Sequence, residues 1–231
     1  MEQHGNAEAK IRPIDDFRAS GINVIVETGD TNIPENLDVF IAISLYIALV
    51  SPGCGLWCAN AEFAHAYKHV PILDDQEEFA TIILAGPDWK VKAATLRTHP
   101  FRSRRAPANW SMVTLFLKWV MANLFGVVIA VYVDDVFIIE PKATISAAFE
   151  CFKCACEILG FQLYVSKEQA PTETPSLLGA DVSILSKWIT ARLPERKRKD
   201  LINELNQTLQ NGTLTPAQAA KLRERSDLVN L

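Results

Sequence analysis

The sequence has no excess of basic residues: 23 Lys and Arg stand against 27 Asp and Glu, a net charge of −4. No global positive field draws nucleic acid to this chain, so any such contact must come from local patches. The first ten residues, "MEQHGNAEAK", contain no apolar core, and a secretory signal is not expected. Five cysteines, an odd number without secretory context, read as reduced thiols of an intracellular protein, cytoplasmic or nuclear. Cys151, Cys154 and Cys156 look like half a zinc site with Cys54 and Cys58 as distant partners. Their spacing is irregular, however, and "TISAAFECFKCACEILG" is a helical setting in which cysteine packs as a small hydrophobe. His65 and His69 stand four apart, but Ala66 holds the place where a zinc peptidase needs Glu. There is no G-x-S-x-G, no Gly-rich phosphate loop, no internal repeat and no low-complexity tract, and no RNase H, integrase or protease signature.

Long hydrophobic runs are also missing. "VFIAISLYIALV", Val39 to Val50, stops after twelve residues at Ser51-Pro52-Gly53, short of the ~20 that a span requires. It reads as a buried helix. "TLFLKWVMANLFGVVIAVYV" contains Lys118 and Asn123 and breaks at Gly126, so it reads as a helix, a break and a strand. A small membrane protein is the bland alternative, and no membrane partner is expected.

What is present is a globular composition, with 49% hydrophobic and 22% charged residues and room for one sizeable domain or two small ones. Residues 1–10 read as a disordered tail. "IRPIDDFRASGIN" reads as a short strand and a turn at Ser20-Gly21, and Glu35 to Val50 as a helix. "LWCANAEFAHAYKHVPI" reads as a strand passing into a helical turn. "EFATIILAG" and "KVKAATLRT" read as a hairpin around "PDW". Ala106 to Leu124 is helical, with Val113, Phe116, Leu117, Val120 and Leu124 on one stripe. A helix from about Ala143 to Leu159 precedes a strand "FQLYVS", a loop "EQAPTETPS" and a hairpin of "SLLGADVSI" with "KWITARL". Two helices close the chain: Glu195 to Gln210, and one from Thr215 with a capping box to Gln218. The basic run Arg196 to Lys199 lies on the first of these; a localisation signal or a phosphate contact is open to it, but its acidic flanks and helical setting favour a solvated face. Antiparallel strands with helices on one face make an α+β fold.

Chemistry concentrates in "GVVIAVYVDDVFIIE", where Asp134 and Asp135 sit between two β-branched runs. A tight hairpin prefers Asn-Gly or Asp-Gly, so Asp-Asp is a poor choice for turn geometry alone. Two carboxylates there become favourable when they face a divalent cation such as Mg²⁺, which takes hard oxygen ligands and shares them with phosphates.

The tetrad "YVDD" resembles the catalytic hairpin of reverse transcriptases, the RNA-directed DNA polymerases of retroviruses and retrotransposons. "IRPIDDFRASGIN", "AEFAHAYKHVPI", "PFRSRRAPANW", "LGFQLYVSKE" and "LLGADVS" are similar, in the family's order, to its fingers and palm motifs, the last being the primer grip. The resemblance covers about Ile11 to Leu193. It implies a right-hand polymerase palm with partial fingers over 11–193 and the helical start of a thumb over 194–231. It also implies a chain clipped at both ends, with weak grip on a primer–template.

By the same resemblance, Glu62, Asp134 and Asp135 are the catalytic and metal-binding carboxylates, for Mg²⁺ with Mn²⁺ as the alternative ion. Arg12, Tyr67, Phe101 and Lys167 contact a deoxynucleoside triphosphate, Tyr67 as the gate against a ribose 2′-hydroxyl. Arg104, Arg105, Tyr132, Leu178 and Gly179 contact an RNA or DNA primer–template. Two departures stand out: the family carries Asp at the position of Glu62 and Gly at that of Arg102. The extra methylene of Glu62 displaces its carboxylate by about 1 Å, enough to cost ~100-fold in rate. With Trp89 in a turn that prefers Gly, these departures suggest a decaying retroelement copy, impaired or inactive. The competing expectation is a non-catalytic remnant acting as a nucleic-acid-binding or structural module.

Overall fold

The computed structural model describes residues 21–26, 35–85, 90–101, 103–185, 188–216 and 218–220. Its helices are α1 (Ile22–Ile25), α2 (Leu37–Val50), α3 (Ala106–Phe125), α4 (Ile145–Ile158) and α5 (Glu195–Asn211). Its strands are β1 (Leu56–Glu62), β2 (Thr81–Ala85), β3 (Val91–Thr95), β4 (Ile129–Tyr132), β5 (Asp135–Pro141), β6 (Gln169–Thr172), β7 (Ser176–Leu177), β8 (Ala180–Leu185) and β9 (Trp188–Arg192). The chain forms two compact units, Met1–Ile33 with His65–Thr114, and Pro34–Ala64 with Leu115–Leu231. Sequence alone did not separate these two within 11–193.

The first unit contains the β2–β3 hairpin, paired antiparallel from Thr81↔Thr95 to Ala85↔Val91. Two 3-10 segments, Ala66–His69 and Asp74–Ala80, precede it. Trp110, almost fully buried on the first turns of α3, meets the His69 ring at a centroid distance of 6.0 Å. The expected strand in "IRPIDDFRASGIN", and with it Arg12, lies outside the described residues, as do Trp89 and Arg102.

The second unit is built on a four-stranded sheet of order β4-β5-β1-β6. β5 runs antiparallel to β1 over seven residue pairs, from Leu56↔Pro141 to Glu62↔Asp135. Side chains alternate between faces, and both faces of β5 are covered, so Val136, Phe137, Ile138 and Ile139 are all buried. On one face Phe137, Ile139 and Cys58 share a core with Leu37 and Phe40 of α2 and with Leu177, Val182 and Ile184 of the separate β7-β8-β9 sheet. Phe40 and Phe137 meet edge to face at 6.3 Å. On the other, α4 packs against β5 and β1, with Phe152 against Phe63 at 6.3 Å. The α+β palm architecture expected from sequence is therefore present, with α2 covering the face that α4 leaves open.

Helix ends follow local chemistry. The Asn36 side chain caps α2 by accepting from Asp38 N at 3.1 Å and Val39 N at 3.3 Å. At the end of α4, Phe161 N donates to Cys156 O at 2.8 Å, and Gly160 takes φ +79°. The capping box from Thr215 to Gln218 forms reciprocally at 2.9 and 3.3 Å.

Three local expectations are corrected. The buried stripe of α3 is Ala106, Trp110, Thr114, Leu117 and Met121, with Val120 beside it, while Phe116 and Leu124 are exposed. Apolar residues surround this helix, so composition could not choose the face. "FQLYVS" makes only an isolated bridge, Leu163 to Phe63, and a 3-10 turn at Val165–Lys167. The strand is instead β6, inside the supposed loop, on the sheet edge where Pro171 costs no ladder hydrogen bond. Finally, "VFIAISLYIALV" is a helix but not a buried one, since Leu45, Tyr46, Leu49 and Val50 are exposed. No helix among the described residues is long and apolar enough to cross a membrane.

Candidate active site

The β4–β5 hairpin closes with Tyr132 paired to Asp135, so Val133 and Asp134 are its two turn residues and Asp135 begins β5. Val133 has φ +54°, a backbone region that disfavours β-branched side chains. Strain of this kind costs on the order of 1–3 kcal/mol and persists only where its surroundings enforce it. One such restraint is the hydrogen bond that Phe63 N donates to the Asp134 carbonyl at 2.8 Å.

Glu62 is the last residue of β1 and lies directly opposite Asp135. Antiparallel partners share a face, so Glu62, Asp135 and Tyr132 all belong to one face at one end of the sheet. Tyr164 N fixes the Glu62 backbone by donating to its carbonyl at 2.8 Å. The fold therefore brings Glu62 and Asp135 to one end of the sheet, with Asp134 in the adjoining turn. Burial first, then the charges of Asp134 and Glu62, push the Asp135 carboxyl up to about 6, with Lys167 opposing.

Lys167, placed by the 3-10 turn, donates its ammonium to Glu62 Oε1 and lies 4.9 Å above the Tyr164 ring. Its cation thus sits where the acidic cluster most needs one. Hard carboxylate oxygens and a carboxyl driven toward protonation are the donor chemistry a divalent cation suits. In this arrangement, however, no three or more His, Cys, Asp or Glu side chains among the described residues are gathered into a metal-holding group. The Glu62 carboxylate is paired with Lys167 in this arrangement, while its charge still acts on Asp135. The cysteines form no such group either, and Cys58 and Cys156 are buried thiols with strongly raised pKa.

An open groove of about 920 Å³ runs past this end of the sheet. Glu62, Tyr132, Asp135 and Lys167 line it, as do Leu178 and Gly179 of the β7–β8 turn. Leu178 (φ +49°) and Gly179 (φ +82°) both adopt positive φ, the pattern of a two-residue hairpin turn usually given to Asn-Gly.

Sequence reading missed Asn60, which is buried in the middle of β1. Its amide donates to Gln169 Oε1 at 3.2 Å and to Ser176 O at 3.1 Å, tying the sheet to β6 and to the β7 hairpin. The signal was available, since a polar residue inside an apolar strand must find partners. Glu35 was also missed: it accepts from Val131 N at 2.8 Å on edge strand β4 and pairs with Lys118.

The remaining predicted residues lie in the first unit. The Tyr67 and Phe101 rings meet at 5.8 Å, Phe101 being more than half exposed. Arg104 N donates to Asn23 Oδ1 at 3.0 Å, and Arg105 Nε donates to Asn109 Oδ1 at 3.2 Å. Asn109 in turn contacts His99 Nε2 at 2.8 Å, and burial together with Arg105 lowers the His99 pKa.

The sequence matches no family model, and no curated protein matches it. Solved structures do resemble the fold. A foamy viral protease-reverse transcriptase in complex with double-stranded DNA superposes with TM-score 0.65 at 16% identity, over 93% of this chain and 32% of that one. A second foamy viral protease-reverse transcriptase with double-stranded DNA gives 0.61 at 14% identity, over 90% and 38%. A telomerase from Candida tropicalis gives 0.52 at 10% identity, over 69% and 40%. The chain thus has a reverse-transcriptase-like fold and spans about a third of the length of the viral proteins it resembles.

Proposed function

We propose that this chain is the palm-containing part of an RNA-directed DNA polymerase, extending a primer with deoxynucleotides on an RNA or DNA template. The observation that carries the reading is the pairing of Glu62 with Asp135 across β1 and β5, with Asp134 in the adjoining turn. This concentrates negative charge at one end of a reverse-transcriptase-like sheet, beside an open groove. Glu62, Asp134 and Asp135 would hold Mg²⁺ or Mn²⁺, whose chemistry is to neutralise charge building on the attacking and leaving oxygens. Lys167 would hold a proton at Nζ near the leaving pyrophosphate once released from Glu62. Tyr67 and Phe101 would orient the sugar and base of the incoming nucleotide, and Arg104 and Arg105 would contact the template. Tyr132, Leu178 and Gly179, which line the groove, would seat the primer.

A second reading has its own observation. The Glu62 carboxylate is engaged by Lys167, and the three acidic side chains are not gathered for a metal among the described residues. A fold kept for binding nucleic acid, without catalysis, fits that arrangement. Primer extension on RNA and DNA templates, with Mg²⁺ and separately with Mn²⁺, separates the two. Incorporation that disappears in Asp134→Asn supports the polymerase. Duplex binding without incorporation in either metal supports the module.

A further inference from the structure

The basic run Arg196 to Lys199 does not act as a unit. The Arg198 guanidinium forks onto Glu195, with Nε to Oε2 at 3.0 Å and Nη2 to Oε1 at 3.1 Å. Lys199 Nζ lies 3.7 Å from the same carboxylate. Lys197 is drawn the other way, donating to the Gly179 carbonyl at 3.2 Å and lining the groove, with Arg192 also in its wall. A backbone carbonyl satisfies one of the three ammonium donors without neutralising the charge. Neither Lys197 nor Arg192 forms an ion pair among the described residues. Gly179, at φ +82°, presents its carbonyl to this ammonium from a backbone conformation that favours glycine.

The groove is therefore polar in charge. Glu62, Asp135 and Glu168 line it at the sheet end, where Lys167 is taken up by Glu62, while Lys197 and Arg192 come from the β7–β9 sheet and the start of α5. We propose that Lys197 and Arg192 are a phosphate-contact pair for the nucleic-acid strand lying in this groove. This rests on the polymerase reading for which end of the strand meets the carboxylates. A free hydroxyl terminus is tolerated beside Glu62 and Asp135, whereas a terminal phosphate is repelled, and internal phosphates find the cations. Each phosphate neutralised releases condensed counterions, which makes the contact visible in the salt dependence of binding.

The test is fluorescence-anisotropy binding of a DNA duplex with a recessed 3′ end, in EDTA, across a salt series. It compares wild type with Lys197→Ala, Arg192→Ala and Arg196→Ala, all at exposed positions. Lys197→Ala and Arg192→Ala should each weaken binding several-fold and flatten the log–log salt slope by about 0.9. Arg196→Ala, in the same run but outside the groove lining, should leave the slope unchanged. A duplex whose recessed end carries a 3′-phosphate should bind more weakly than the hydroxyl-ended one. Equal slopes in all four proteins, or an Arg196→Ala loss matching that of Lys197→Ala, overturn the proposal. Because EDTA removes any need for metal or turnover, failure of catalysis elsewhere does not register here.

Discussion

Replacing Asp135 by Asn should stabilise this protein at neutral pH. Its carboxyl is held near 6 in the fold, against 3.8 as the ordinary value, chiefly by burial and then by Asp134 and Glu62. The folded state therefore binds the Asp135 proton more tightly than the unfolded state does. By linkage, the stability contributed by this group is fully present below about pH 4, declines between about 4 and 6, and is gone above that. A shift of that size corresponds to about 3 kcal/mol for a shielded group. Asp135 is only about half buried, so solvent screening brings the expected gain in Asp135→Asn to about 1–2 kcal/mol. For a chain of 231 residues this is a rise in Tm of roughly 3–6 °C. Urea denaturation of both proteins at pH 7.5 and pH 4 measures it. The variant should be the more stable at pH 7.5, with the gap closing at pH 4 and narrowing when Mg²⁺ is added at pH 7.5. An Asn variant no more stable than wild type at pH 7.5, or a gap independent of pH, would refute the claim that burial and the neighbouring carboxylates disfavour ionised Asp135.

Glu62→Asp shortens the side chain by one methylene, loosening its pairing with Lys167 and supplying the Asp that the family resemblance implies for two-metal chemistry. Single-nucleotide incorporation should rise, by up to ~100-fold, and the preference for Mn²⁺ over Mg²⁺ should fall. No gain in either metal would remove Glu62 as the proposed limit on incorporation. Asn60→Leu leaves the Ser176 carbonyl and the Gln169 side chain without their partner, and should cost about 1–3 kcal/mol in a denaturant melt. A neutral result would show that the amide does not tie β1 to the β7 hairpin.

The sequence was most legible where local preference and tertiary placement agree. The β-branched runs around Asp134 and Asp135 form the strands they suggest, and "LWCANAE" forms β1 beside β5. That juxtaposition brings Glu62 to Asp135, which the resemblance to a polymerase motif had implied. The legibility failed where a second partner decides. On α3, nearly any face is apolar enough to be buried, and the choice of Trp110, Leu117 and Met121 over Phe116 depends on what lies opposite. In "FQLYVS", Phe, Leu, Tyr and Val carry strong strand preference, yet Ala64 N and Glu62 O take only Gln162 O and Tyr164 N from the segment. The backbone then turns into the 3-10 segment Val165–Lys167, which carries Lys167 to Glu62. Lys197 was read as solvated because a charge run looks uniform in sequence, and only the carbonyl of Gly179 distinguishes it from Arg198 and Lys199.

The central claim is the proposed divalent-cation site at the end of the sheet bearing Glu62, Asp134 and Asp135, where Lys167 pairs with Glu62. Electron paramagnetic resonance titration with Mn²⁺ reads this directly and needs no substrate. Wild type should bind Mn²⁺ competitively with Mg²⁺. Asp134→Asn and Asp135→Asn should lose that binding, and Lys167→Met should tighten it several-fold by freeing the Glu62 carboxylate. Mn²⁺ binding that is unaffected by all three substitutions, or absent from wild type and Lys167→Met alike, would contradict the account.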